Sequence, residues 1–146
     1  MSVVYDPTNA VNKTVVWSTD NAAVATVNGS GLANCLAVGT ANIKATAQDG
    51  GFEDSCALSV IIPVTAISVT PATVPLAVAG TQQLTTAFTP ANGTNQGLNY
   101  SSSDPTKASV SASGLVTGVA PGTATITIST VGNPTVATDT VAVTVT

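Results

Sequence analysis

The sequence predicts an all-β protein built as two tandem antiparallel β-sandwiches, and three observations predict it. The second half repeats the first at a spacing of 83 residues: Pro7 falls on Pro90, Asn9 on Asn92, Asn12 on Asn95 and Ser18 on Ser101. The same shift places Val27-x-x-Ser30-Gly31-Leu32 on Val110-x-x-Ser113-Gly114-Leu115, and Ala37-x-Gly39-Thr40-Ala41-x-Ile43 on Ala120-x-Gly122-Thr123-Ala124-x-Ile126. A gapless fixed period means two copies of one structural unit. Second, apolar and hydroxyl residues alternate, with Ala124, Ile126 and Ile128 on one face of a strand and Val141, Val143 and Val145 on one face of another. A period of two marks half-buried antiparallel strands. Third, turn residues separate short apolar runs at regular intervals, and no stretch carries helical periodicity.

The domains are therefore 1–62 and 63–146. In the second copy, strands are expected near 66–70, 75–79, 82–89, 97–102, 108–111, 115–119, 123–130 and 137–145. The first copy repeats the third of these at 2–6 and continues at 14–19, 24–27, 32–36, 40–47 and 54–61. Asn28-Gly29 and Asn92-Gly93 offer positive φ at turns, and Gly39 and Gly122 precede the long alternating strand. Ile62-Pro63-Val64 joins the copies. The second copy opens with a lead-in, residues 65–80, whose Ile67, Val69, Leu76 and Val78 are expected to cover a sheet edge and close the core. The counterpart in the first copy would lie before Met1, so that copy reads as missing its first two strands.

Composition excludes several function classes. Charged residues make up 7% of the chain, the net charge is −4, and aromatics make up 3%. Three lysines and no arginine cannot build a phosphate-binding surface with stacking platforms, which argues against nucleic acid. No apolar run approaches the length of a membrane helix, so no membrane insertion is expected. No basic region and long apolar core follow Met1. If Met1 is the natural start, export by the usual secretory route is not expected. With no histidine, the commonest general base and metal ligand are lacking. The many serines and threonines have no activating partner. Neither enzyme activity nor a cofactor is expected.

Several longer patterns carry a resemblance. They are Val-x-Pro-x-x-x-x-Leu-x-x-x-Gly-x-x-x-Leu from Val69 through Leu84, Ser101-Ser-x-Asp104, Val110-Ser-x-x-Gly114-Leu-Val116 and Ala120-x-Gly122-Thr-Ala-x-Ile126. Together they resemble the bacterial immunoglobulin-like domain, group 2, over the whole second copy and over the first copy from its third strand onward. The resemblance implies an immunoglobulin-like sandwich without catalytic residues. Family members are similar to stalk and adhesion modules of bacterial surface proteins such as intimin and invasin, and to domains decorating tailed phages.

Four groups of residues merit a weighing of function against structure. Cys35 and Cys56 both lie in the first copy and are expected to point inward. They either form a disulfide closing a loop of about 20 residues, worth roughly 3 kcal/mol, or stand as two buried thiols. The disulfide is the expectation, since a domain short of strands gains most from a staple. Two cysteines without histidine are too few for zinc. Asp49-Gly-Gly-Phe-Glu53-Asp54 gathers three acids, read as a calcium site or as a solvated turn that discourages edge pairing. The alternate-acid spacing of a calcium loop is missing, and no metal is expected. Trp17, with counterpart Tyr100, is either a sugar platform or the core aromatic of a sandwich. Asn12-Lys-Thr14 and Asn92-Gly-Thr94 match a glycosylation acceptor or serve as turns.

The function expected is a non-enzymatic structural or display module of a surface-exposed assembly, either a phage virion (tail or capsid decoration) or a bacterial cell surface. The alternative is a carbohydrate- or receptor-binding adhesin module excised from a larger protein. The partners expected are protein subunits of a larger assembly, with weak carbohydrate or host-surface contact beside them. Strand addition to the first copy is one route of assembly, because open edges recruit strands. A neighbouring subunit or upstream residues of a longer chain could supply that strand. The remaining alternative is an excised piece that tolerates its open edge.

Overall fold

The structure, a computed structural model, describes Val4 and residues 12–146. The strand expected over 2–6 lies outside the described residues. The chain divides into two compact units, residues 1–61 and 62–146.

The first unit contains β1 (Val15–Thr19), β2 (Ala25–Val27), β3 (Ala33–Cys35), β4 (Gly39–Ala47) and β5 (Glu53–Val60). Its larger sheet has the order β1-β4-β5, and β2 pairs with β3. All these pairings are antiparallel. Alternation along β4 turns Ala41 and Ile43 inward, where they are buried together with Val24 and Ala25. Leu58 and Val60 of β5 pack against this core but are only partly buried.

The second unit contains β6 (Ala66–Thr70), β7 (Thr73–Leu76), β8 (Thr81–Gln83), β9 (Thr85–Thr89) and β10 (Leu98–Ser102). It continues with β11 (Ala108–Val110), β12 (Leu115–Gly118), β13 (Gly122–Thr130) and β14 (Thr138–Val145). One sheet has the order β10-β13-β14-β7; β11-β12-β8 and β6-β9 form the others. Only β14 and β7 pair in parallel. Between the sheets lie Val69, Val74, Leu84, Val116, Ile126, Ile128, Val141, Val143 and Val145, all buried. Fully burying one such side chain is worth about 1.5–3 kcal/mol, so this core carries the unit.

Two strand expectations for the second unit change. The strand expected over 82–89 is two strands that pair with different partners, β8 with β12 and β9 with β6. The switch falls at Leu84, whose buried side chain enters the core while its N–H donates to Gly114 O at 3.0 Å. The strand expected at 75–79 ends at Leu76, and Val78 is 50% exposed rather than in the core. Residues 77–80 form a turn instead, with Gly80 N–H donating to Ala77 O at 2.9 Å and Ala79 at φ 66°.

The repeat is faithful where aromatics meet glycines. Trp17 pairs with Ala45 in register and Tyr100 with Ile128. A Cβ on Gly31 would lie 2.6 Å from Trp17 Cζ2, and one on Gly114 would lie 3.0 Å from the Tyr100 ring. Both glycines have φ near +79°. The left-handed positions of these turns are thus Gly31 and Gly114, because only a residue without Cβ admits both the backbone angle and the ring; Gly29 and, in its separate turn, Gly93 do not take the positive φ expected of them.

Candidate functional site: the uncovered edge of the first unit

Register fixes which residues of the units correspond. Gly39 pairs with Val60 and Gly122 with Val145, so Cys56, Leu58 and Val60 of β5 stand where Val141, Val143 and Val145 stand in β14. In β14 these three are 0%, 1% and 2% exposed. In β5 the first is exposed and the other two are only partly buried. The difference lies in what covers the strand. β7 runs along β14, with Val143 beside Val74 and Val145 beside Leu76. Ala142 N–H donates to Ala72 O at 3.1 Å and Thr146 N–H to Leu76 O at 2.9 Å. Among the described residues no strand pairs with the corresponding edge of β5. By the same register, Ala57 and Ile61 direct their N–H groups toward that edge.

A side-chain acceptor accompanies the edge. Asp139 Oδ2 accepts the N–H of Val69 at 2.7 Å and so ties β6 to β14, while its Oδ1 accepts from Thr140 N–H at 2.8 Å. Asp54 is its counterpart in β5. Asp54 Oδ1 accepts from Ser55 N–H at 2.8 Å in the same way. No lead-in backbone among the described residues meets Asp54. The sequence held the signal for this residue, since shifting β5 onto β14 by 85 aligns the two aspartates. Only the observed bond to Val69 gives the alignment a meaning.

Both cysteines are free and exposed, which corrects their expected inward placement. Cys35 pairs with Ala25 in register as Gly118 pairs with Ala108. A Cβ on Gly118 would lie 3.1 Å from Val145 Cγ1, so position 35 belongs beside Val60. Cys56 lies four residues earlier in β5, about 13 Å away along an extended strand. A disulfide needs Cα atoms within about 7 Å; in the structure both cysteines are free. The Cys56 Sγ–H donates to Ala57 O at 3.7 Å.

The acidic hairpin does not converge. Glu53 and Asp54 are neighbours in an extended strand, so their side chains leave opposite faces. Glu53 Oε2 meets Lys44 Nζ at 3.0 Å, and Thr46 Oγ1 donates to Glu53 Oε1 at 3.3 Å. The Lys44 ammonium, then the Thr46 hydroxyl, hold the Glu53 carboxyl below its ordinary value. Asp20 is lowered by the Asn42 backbone N–H and side-chain amide, at 2.7 Å each. Among the described residues no group of three or more His, Cys, Asp or Glu could hold a metal ion. No helix there is long and apolar enough to cross a membrane. Trp17, the candidate sugar platform, lays its ring on Gly31. Among the described residues the aromatic that stands out into solvent is Phe52 at the hairpin tip, 78% exposed.

Comparison with known proteins places this architecture. The chain is 38% identical over 126 residues to an "Ig-like virion protein" of Serratia phage KSP90, covering 83% of this chain and 49% of that protein. It is 34% identical over 127 residues to "Ice-binding protein 1" of Shewanella frigidimarina (strain NCIMB 400), covering 82% of this chain and 14% of that protein. The chain thus spans about half the length of the first relative and a small part of the second. Among solved structures, the S-layer protein rSbsC aligns with a TM-score of 0.49 at 23% identity, over 95% of this chain and 21% of that one. The model of the bacterial Ig-like domain (group 2) matches residues 1–58 and again residues 63–145. With nearly its whole length matched in two repeats, the chain belongs to the bacterial Ig-like domain (group 2) family.

Proposed function

We propose that this chain is a non-enzymatic structural module of a surface-exposed assembly, in the first place a phage virion. The observation that carries the reading is the pair of tandem Ig-like units, related over most of their length to a phage virion protein. The chemistry of the chain agrees. It has no histidine, and the carboxylates of lowered pKa, Asp20, Glu53 and Asp104, are engaged with Asn42, Lys44 and Thr106 in loop and strand bonds. Such groups order turns rather than activate a nucleophile. The partners on this reading are protein subunits of the same assembly, and the location is a virion or bacterial surface.

The experiment is quantitative mass spectrometry of gradient-purified particles from a culture carrying the gene. The expected result is peptides of this chain at a fixed ratio to capsid and tail proteins, with antibody access on intact particles. Absence from particles together with recovery from the cell envelope overturns the virion setting and favours the adhesin alternative.

A further inference from the structure

We infer that Asn28 is a site of self-modification, where the chain's own backbone attacks the side-chain amide, releases ammonia and leaves aspartate or isoaspartate in the turn between β2 and β3. Two conditions favour that reaction, and the structure brings them together at Asn28. The first is a bare, free backbone nitrogen on the next residue. Gly29 is exposed, nothing lies within 4 Å of where its Cβ would stand, and among the described residues its N–H has no partner. Its counterpart in the second unit, Ala112, is likewise exposed, and its N–H bonds nothing among the described residues, so an open turn tip belongs to the repeat. The second condition is a side-chain oxygen ready to take up negative charge. Asn28 Oδ1 accepts the Ser30 N–H at 3.0 Å, the Ser30 hydroxyl at 2.7 Å and the Leu32 N–H at 2.9 Å. The Ser30 N–H closes a turn-like ring that contains both Asn28 Cγ and Gly29 N, and so holds the reacting atoms in one small loop.

The step balances with water as the co-reactant. Base removes the Gly29 N–H proton, the Gly29 nitrogen bonds to Asn28 Cγ, and the Cγ–Nδ2 bond breaks. Ammonia leaves once protonated, and a succinimide remains. The charge that develops on Oδ1 during the addition meets three donors already in place, as in an oxyanion hole. Water then opens the ring. Cleavage at Cγ leaves aspartate in an unchanged main chain; cleavage at the main-chain carbonyl leaves isoaspartate, whose main chain is longer by one methylene. Other asparagines meet one condition but not both. Asn92 precedes Gly93, yet Gly93 is buried and its N–H donates to Pro90 O at 3.0 Å. Asn12 and Asn95 accept the N–H groups of Thr14 and Gly97, but a lysine and a glutamine follow them. In the second unit Ser111 holds the place of Asn28. Its Oγ meets Ser113 Oγ at 2.9 Å, Ser113 N–H at 3.3 Å and Leu115 N–H at 3.1 Å, and it has no carbonyl carbon to attack.

The test incubates the full folded chain in mildly alkaline buffer and follows each asparagine by peptide-mapping mass spectrometry, which reads the exchange of NH2 for OH and separates isoaspartate from aspartate. Asn28 should convert at least about tenfold faster than Asn92, which must first break a buried hydrogen bond and lacks the three donors. The sequences Asn28-Gly29-Ser30 and Asn92-Gly93-Thr94 are nearly alike, so the ratio should collapse in urea. Ser30→Ala removes the hydroxyl donor and should slow Asn28 in the folded chain by up to about tenfold, whereas Ser30→Thr should keep the rate. Neither should matter in urea. Asn28→Ser copies the second unit, and it should keep the unfolding midpoint while the turn yields no modified product. Equal conversion of Asn28 and Asn92 in the folded chain overturns the site. A preference of the same size in urea overturns the part played by the fold, and an unchanged rate in folded Ser30→Ala overturns the part played by the donors. The reaction needs only the chain and water, so its failure and the failure of the virion reading are separate results.

Discussion

β5 and β14 occupy the same place in their units, pair with the same neighbour in the same register and alternate in the same phase. Yet Val141 is sealed in a core and Cys56 meets solvent. Nothing intrinsic to the two strands accounts for this. A strand's period decides which face is apolar, whereas burial requires another strand to lie upon it. In the second unit β6 and β7 do so. Among the described residues of the first unit nothing does, and its sequence follows suit: Ala45 and Ala47 stand where Ile128 and Thr130 stand in β13.

The sharpest way to break the comparison is to measure the two positions as reaction rates. In a chain with Cys35→Ser, native Cys56 should react with a thiol reagent at close to the rate of an unfolded peptide. In a chain lacking both native cysteines, Val141→Cys should react at least about a thousandfold slower, because access requires opening the core. Comparable rates would show that the two faces are equally covered. The same experiment counts thiols, and two should titrate in native protein prepared without reductant.

Truncation asks the same question energetically. Val143→Ala should cost about 2 kcal/mol, since it empties a site that cannot collapse. Leu58→Ala should cost less than about 1 kcal/mol although it removes more atoms, because its site is half open. Urea unfolding resolves the two: the single tryptophan, Trp17, reports the first unit, and the later transition in circular dichroism reports the second. A larger loss at Leu58 would mean that the first core is closed in solution.

Where the units agree, substitutions should agree. Gly31→Ala and Gly114→Ala each force a side chain onto a positive φ and into an aromatic ring. Each should lower the midpoint of its own unit by the equivalent of about 1–2 kcal/mol. A neutral result at either would mean that the ring yields.

The smallest effect concerns acid. Asp20 accepts the Asn42 N–H, while its counterpart Ser103 accepts the Thr125 N–H through Oγ at 2.9 Å. The first bond titrates and the second does not. A carboxyl held below its ordinary value, 3.8 for Asp20 and 4.5 for Glu53, stabilises the fold above that value. The contribution is lost as pH falls through the lowered one. Acidification below about pH 3.5 should therefore lower the Trp17 transition slightly, and Asp20→Ser should flatten that dependence. Both groups lie in solvent, so added salt should shrink the effect. The second unit has its own lowered carboxyl, Asp104, held by Thr106, and a modest parallel loss there is expected.

Much of this is legible in the sequence. The 83-residue shift yields two copies of one all-β unit, and alternation identifies Ile126, Ile128, Val141 and Val143 as core. Matching turns bring Trp17 and Tyr100 to equivalent places. What escaped was everything that depends on a neighbour. Cys56 shares the phase of Leu58 and was expected inside; phase does not reveal a missing cover. Leu84 sits in a run that reads as one strand, yet it moves the chain between sheets, a choice made by hydrogen-bond partners far along the chain. Gly29 follows an asparagine as a turn glycine should, but the ring of Trp17 selects Gly31. Asp54 looked like one acid among three until Asp139 displayed its use.

The one parallel pairing among the described residues also has a mechanical meaning. β7 lies near the start of the second unit and β14 at its end, and they run side by side in the same direction. Tension applied through the two ends of the unit would pull these strands past one another. Ala142 N–H to Ala72 O and Thr146 N–H to Leu76 O would then be loaded together, along the strand axis, instead of opening one at a time. Resistance under load follows the barrier to unfolding rather than the equilibrium stability. The second unit thus carries a latch against stretching. Among the described residues of the first unit no strand lies along the corresponding edge of β5, so no such latch is formed there.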